Sequence, residues 1–80
     1  MTPDEINVAV GKRLAARRRE LGLSLAQVAK RCGVSLQQIH RYETGDTGLS
    51  VAMLVQLSKC LDAPVMSFLG VAELEGDERG

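Results

Sequence analysis

The chain has 80 residues, 45% of them apolar, with one Tyr, one Phe and no Trp, and its 10 basic and 10 acidic side chains leave no net charge. A chain this short buries about 60% of its unfolded surface, which excludes a second domain and calls for a simple aliphatic core. No apolar run approaches the roughly 20 residues that span a bilayer and the N-terminus carries no signal pattern, so the expectation is a cytoplasmic protein without a membrane partner.

Zero net charge conceals segregation along the chain. From Lys12 to Arg41 there are eight basic residues and one acidic one, Glu20, whereas the segment from Glu73 to Gly80 holds four acids and one Arg. The middle is therefore a basic patch, read either as an anion-binding surface or as a solvated helix face. Cys32 and Cys60 stand 28 positions apart on apolar helical stripes and are expected to be reduced core thiols. A single His and the lack of a close Cys pair point to no metal, and nothing indicates a cofactor.

Thr2-Pro3-Asp4-Glu5 predicts a helix start, with Thr2 as N-cap, Pro3 at the first helical position and Glu5 closing a capping box. Ile6, Val10, Leu14 and Leu21 keep an approximate helical stripe. Arg17 to Arg19 suit the negative end of the dipole, and Gly22 supplies the stop. Ser24 and Gln27 repeat the box before a second helix of two turns, with Leu25, Val28, Ala29 and Cys32 at helical spacing up to Gly33. Ser35 and Gln38 form a third box for a third helix, with Ile39 and Tyr42 inward, ending at Gly45.

Ser50 caps a fourth helix with Leu54, Leu57 and Leu61 on one face. Pro64 starts a last short helix through Val65, Phe68 and Leu69 to Gly70. Five helices and no strand follow. Residues 1–70 form the domain, and 71–80 read as an acidic, flexible tail.

The joint between the second and third helices is demanding. It needs positive φ at Gly33, a small residue such as Ala29 where the helices cross, and apolar Val28, Cys32, Val34, Ile39 and Tyr42 to pack the pair down. Through RRRELGLSLAQVAKRCGVSLQQIHRYETG and the run Leu54 to Leu61, the chain resembles the phage repressor-like helix-turn-helix family (Cro/CI or XRE type) over roughly residues 6 to 70. With its QQIHRYETG helix and its PVMSFL ending, it is similar to small alphaproteobacterial regulators of that type.

The resemblance implies an all-α, compact five-helix lambda-repressor-like DNA-binding domain with the helix-turn-helix at helices 2 and 3. It further implies a cytoplasmic, nucleoid-associated transcriptional regulator, a repressor that binds operator DNA as a homodimer with helix 3 in the major groove. Arg18 and Glu43 match a family ion pair between helices 1 and 3.

With Ile39 and Tyr42 inward, Leu36, Gln37, His40, Arg41 and Thr44 fall on the opposite or flanking faces. Gln37 suits adenine N6 and N7, and Arg41 suits guanine O6 and N7 or a phosphate. His40 is open between a base edge, a phosphate and no contact. Leu36 is open between a thymine methyl, packing on helix 2 and filling space.

Phosphate contacts are expected from Ser24, Leu25, Ser35 and Gln38 at the helix starts, with Thr44, Arg17 and Arg19 beside them. Val51, Val55, Val65, Met66 and Phe68 exceed what one small core needs and are candidates for a dimer interface, the alternative being that all five are core. A protein-binding module of the antitoxin kind, with a toxin as partner, is the competing function. An enzyme is excluded because no catalytic constellation converges in a pocket that 80 residues could enclose.

Overall fold

Helix α1 (Pro3–Glu20) starts where Thr2 Oγ1 accepts the Glu5 amide at 3.2 Å and Glu5 Oε1 accepts the Thr2 amide at 2.9 Å. That reciprocal pair satisfies two donors that every helix start leaves free. The bonds from Thr2 hold the Glu5 carboxyl below the usual carboxylate range. What the box adds to stability is therefore present near neutrality and lost as the pH falls through that lowered value.

Four shorter helices follow: α2 (Leu25–Cys32), α3 (Leu36–Thr44), α4 (Val51–Cys60) and α5 (Val65–Phe68). The computed structural model describes residues 2–70, and the acidic tail expected at 71–80 lies outside them. Ser24 and Gln27 close a second box, at 3.1 and 2.7 Å. The third is only half made. Ser35 Oγ accepts the Gln38 amide at 3.1 Å, but Gln38 returns no bond to Ser35. Gln38 is half-buried, whereas Glu5 and Gln27 are exposed and free to fold back. Pro64 stands at the cap of α5, one position before the helix that it was expected to begin.

The helices enclose one cluster of Val10, Leu14, Val28, Ala29, Cys32, Ile39, Tyr42, Leu57, Leu61 and Phe68. Phe68 is 1% exposed, which removes it from the dimer-interface candidates: α5 is a single turn, and its aromatic ring is what attaches it to the core. Leu21, expected on the buried stripe, is exposed because Arg17 and Arg18 occupy the inward side at that end of α1.

The tightest crossing is between α1 and α3. A Cβ on Gly11 would collide with the main-chain oxygens of Tyr42 and Glu43, so only glycine lets the two backbones come this close. About two turns along, Arg18 Nε donates to Glu43 Oε2 at 2.7 Å and Nη2 to Oε1 at 3.0 Å, while Nη1 reaches the Leu23 carbonyl at 2.9 Å. The side chains of this two-pronged pair are 12% and 9% exposed, and the bond to Glu43 raises the Arg18 pKa.

α4 closes the other side of α2. Gln56 Nε2 donates to the Cys32 carbonyl at 2.5 Å and the Cys60 thiol to the Arg31 carbonyl at 3.5 Å, covering carbonyls that α2 leaves unpaired at its end. Both cysteines are free, Cys32 buried and Cys60 partly so. Burial first, and then the Cys60 thiol beside it, pushes Cys32 up to about 12.

Removing Glu43 leaves a largely buried guanidinium without its counter-charge. Glu43→Ala should cost about 3 kcal/mol, a fall in Tm of roughly 15 °C for a domain of this size. Thermal melting followed by circular dichroism checks it, and an unchanged Tm would show that the pair contributes nothing. Gly11→Ala should lower Tm as well, although alanine favours a helix interior by about 1 kcal/mol over glycine; a stabilised variant would contradict the close crossing. Iodoacetamide applied to the folded protein near pH 8 should label Cys60 and spare Cys32, and equal labelling of the two in a peptide map would show that Cys32 is not shielded.

Candidate nucleic-acid interface

The α2 to α3 joint takes three residues. Gly33 adopts φ 71° and its amide, like that of Val34 at 3.1 Å, returns to the Ala29 carbonyl. This left-handed step reverses the chain at little steric cost. Val28 and Cys32 hold α2 down, and Ile39 and Tyr42 hold α3, all buried in the core. A helix of nine residues anchored along one side has its other side fixed by its period.

That other side carries Leu36, Gln37, His40, Arg41 and Thr44, every one of them exposed. Leu36 is 42% exposed and lies outside the set of apolar residues packed on the core, so it neither fills interior space nor packs there. Thr44 Oγ1 donates to the Arg41 carbonyl at 3.2 Å, which turns its hydroxyl proton back onto its own helix.

The two helix starts present free donors. In α2 the Ser24 and Gln27 amides are engaged by the capping box, leaving those of Leu25 and Ala26. The Leu25 side chain packs on the core, so only its amide is available outward. In α3 the amides of Leu36 and Gln37 are free in the same way, because Ser35 takes those of Gln38 and Ile39. Ser24 and Ser35 accept through their oxygens and keep an O–H to donate.

The three consecutive arginines separate. Arg18 belongs to the ion pair. Arg17 Nε donates to the Leu61 carbonyl at 2.9 Å and Nη2 to the Asp62 carbonyl at 3.0 Å. It caps the end of α4, where Asp62 sits at φ 49°, and this is a correction to the expected phosphate role. Its cleft, of about 420 Å³, also contains Glu20 and Asp62. Arg13, unmarked by the sequence reading, donates through Nη1 to the Ser67 carbonyl at 3.2 Å, and its spacing of four from Arg17 is the signal that they share a face.

Arg19 goes elsewhere. It lines a cleft of about 300 Å³ with Lys12, Ala15, Arg18, Leu25, His40, Glu43 and Thr44, between α1, the start of α2 and α3. Lys12 was also missed; its spacing of seven from Arg19 puts both on one face two turns apart. Among the dimer candidates, Val51 is 80% and Met66 50% exposed, Val55 is exposed and Val65 is half-buried. No helix among the described residues is long and apolar enough to cross a membrane.

A family model described as helix-turn-helix matches residues 14–66. An uncharacterized HTH-type transcriptional regulator of Sinorhizobium medicae is 33% identical over 78 residues, covering 98% of this chain and 56% of the relative. An uncharacterized transcriptional regulator in the ATPase CF(0) region of Rhodospirillum rubrum is 37% identical over 78 residues, covering 98% and 71%. The chain thus spans little more than half the length of the Sinorhizobium relative.

Among solved structures, the clp gene regulator ClgR from Corynebacterium glutamicum superposes with a TM-score of 0.77 at 26% identity, over 80% of this chain and 83% of that one. The restriction-modification controller protein C.AhdI from Aeromonas hydrophila gives 0.74 at 26% identity, over 76% and 92%. The matched span takes in all of α2, the Gly33 turn and α3, and with them the anchored helix pair described above: the chain belongs to the helix-turn-helix family, XRE type.

Proposed function

We propose that this chain is the operator-binding part of a transcriptional regulator, which binds double-stranded DNA as a two-fold dimer with α3 in the major groove and represses by occupying the site. The observation that carries this reading is the exposed face of α3, pinned from behind by Ile39 and Tyr42, beside the free amides that start α2. The regulators among the relatives support the same class of function.

Within that reading, phosphates on either side of the groove meet the Leu25 and Ala26 amides, the Ser24 and Ser35 hydroxyls and Arg19, and these contacts set the register of α3. Gln37, in the first turn of α3, pairs with adenine N6 and N7, and Arg41, one turn on, takes guanine O6 and N7. Leu36 offers an exposed methyl-rich surface beside Gln37, which fits the thymine methyl of a neighbouring pair.

A nine-residue helix reaches only a few base pairs, so specificity calls for two copies with half-sites roughly 34 Å apart. Val51, Val55 and Met66, with the half-buried Val65, are the apolar surface that α4 and α5 offer for that pairing.

Fluorescence anisotropy on the DNA upstream of the chain's own coding sequence, against single-base variants and a scrambled duplex, tests the reading. Gln37→Ala should relax preference at one base pair per half-site by about 1–3 kcal/mol while leaving Tm unchanged. A loss of equal size on every duplex would remove Gln37 from base reading.

A further inference from the structure

The end of α2 and the end of α4 meet at the two cysteines of the chain. Cys32 is the last residue of α2 and is 3% exposed, whereas Cys60 is the last residue of α4 and only partly buried. The Cys60 thiol donates to the Arg31 carbonyl at 3.5 Å. That oxygen belongs to the peptide unit leading into Cys32, so Cys60 Sγ lies within roughly 6 Å of the Cys32 Cα by covalent geometry alone. One turn back on α4, Gln56 Nε2 donates to the carbonyl of Cys32 itself at 2.5 Å and holds the two helix ends together. The thiols are direct neighbours, with Cys60 a hydrogen-bond partner of Cys32.

Their access to solvent differs. Cys32 is enclosed in the core, and burial, then Cys60, hold its proton up to about 12. An oxidant arriving from solution therefore meets Cys60 first. A partly open thiol backed by a closed one is the arrangement in which the first is oxidised and the second resolves it.

We propose that Cys32 and Cys60 form a dithiol/disulfide site closed by a hydroperoxide, with Cys60 as the thiol oxidised first and Cys32 as the resolving one. The Cys60 sulfur attacks the terminal peroxide oxygen; the O–O bond breaks, an S–O bond forms, and the departing alkoxide or hydroxide leaves with the Cys60 proton. The Cys32 sulfur then attacks the sulfur of the Cys60 sulfenic acid. The S–S bond forms as the S–O bond breaks, and the hydroxide leaves as water with the Cys32 proton. Two thiols are oxidised to one disulfide while one hydroperoxide is reduced to water and an alcohol, or to two waters when it is hydrogen peroxide.

The bond replaces a contact between thiols by an S–S length of about 2 Å and draws the end of α2 toward α4. It also removes the Cys60 donor from the Arg31 carbonyl. Gly33, the left-handed turn into α3, follows Cys32 directly, and α3 lies wholly within the loop 32–60 that the bond closes. The effect on DNA rests on the operator-binding reading: closure displaces α3 relative to the phosphate contacts at the start of α2, and the oxidised chain binds its duplex less tightly. Formation of the bond does not depend on that reading.

The test treats the reduced whole chain with hydrogen peroxide at about pH 8, blocks the remaining thiols, and maps the product with trypsin in the absence of reductant. Cleavage after Arg31 and Lys59 puts each cysteine at the head of its own peptide, 32–41 and 60–79. The expected product is these two peptides joined through Cys32 and Cys60, from protein that runs as a single chain on a denaturing gel and is reopened by dithiothreitol. In Cys32→Ala, Cys60 should carry added oxygen instead. In Cys60→Ser, a change outside the closed core, Cys32 should resist the oxidant; thermal melting of both variants confirms that they are folded.

Oxygen added to wild-type Cys60 with no joined pair, a bond between chains in place of one within a chain, or rapid oxidation of Cys32 in folded Cys60→Ser overturns the site. Fluorescence anisotropy on the upstream duplex reads the consequence. Affinity lost after peroxide, regained with dithiothreitol and unaffected by peroxide in Cys60→Ser supports the switch, whereas a joined pair with unchanged affinity overturns its effect on DNA. If neither form distinguishes that duplex from a scrambled one, the operator reading fails, and the joined pair still supports the redox site.

Discussion

The crossing of α1 over α3 determines where the exposed face of α3 ends up. Two contacts set it: the backbone approach at Gly11 and the two-pronged bond from Arg18 to Glu43. The first fixes separation, because no side chain fits there. The second fixes rotation, because a planar guanidinium matched to both oxygens of a carboxylate tolerates little turning of either helix about its axis. With Arg18 also tied to the Leu23 carbonyl, the same side chain positions the loop that leads into α2.

This accounts for a protein of zero net charge that still offers a basic surface. Of the cations on α1, Arg13, Arg17 and Arg18 are bound internally, to carbonyls or to Glu43, and contribute cohesion rather than a field. Lys12 and Arg19 are the two left on the side where α2 begins and α3 ends. The charge that matters for an anionic partner is therefore set by which arginines the fold has already engaged.

Local signals were the most legible part of the sequence. Helix starts at Thr2, Ser24 and Ser50 and the stop at Gly33 depend on residues three or four positions apart, and the structure has them where expected. The half-made cap at Ser35 shows the limit, since Gln38 answers to tertiary packing as well as to its own helix end. Arg17 and Arg19 look equivalent in a run of three arginines, and only the path of α4 and its end at Asp62 separates them. Phe68 was misassigned for a related reason: a surplus of apolar residues says that some must be external, not which ones.

A helix of nine residues is too short to be stable in isolation. α3 can present side chains at fixed positions only because Ile39 and Tyr42 are buried in one cluster with Val10, Leu14, Val28 and Leu57, which lie on three other helices. The accuracy with which Gln37 and Arg41 are presented is thus inherited from the core. Hydrogen bonds to base edges weaken steeply with misalignment. Under the operator-binding proposal, loosening in that core reaches α3 as lost discrimination between bases.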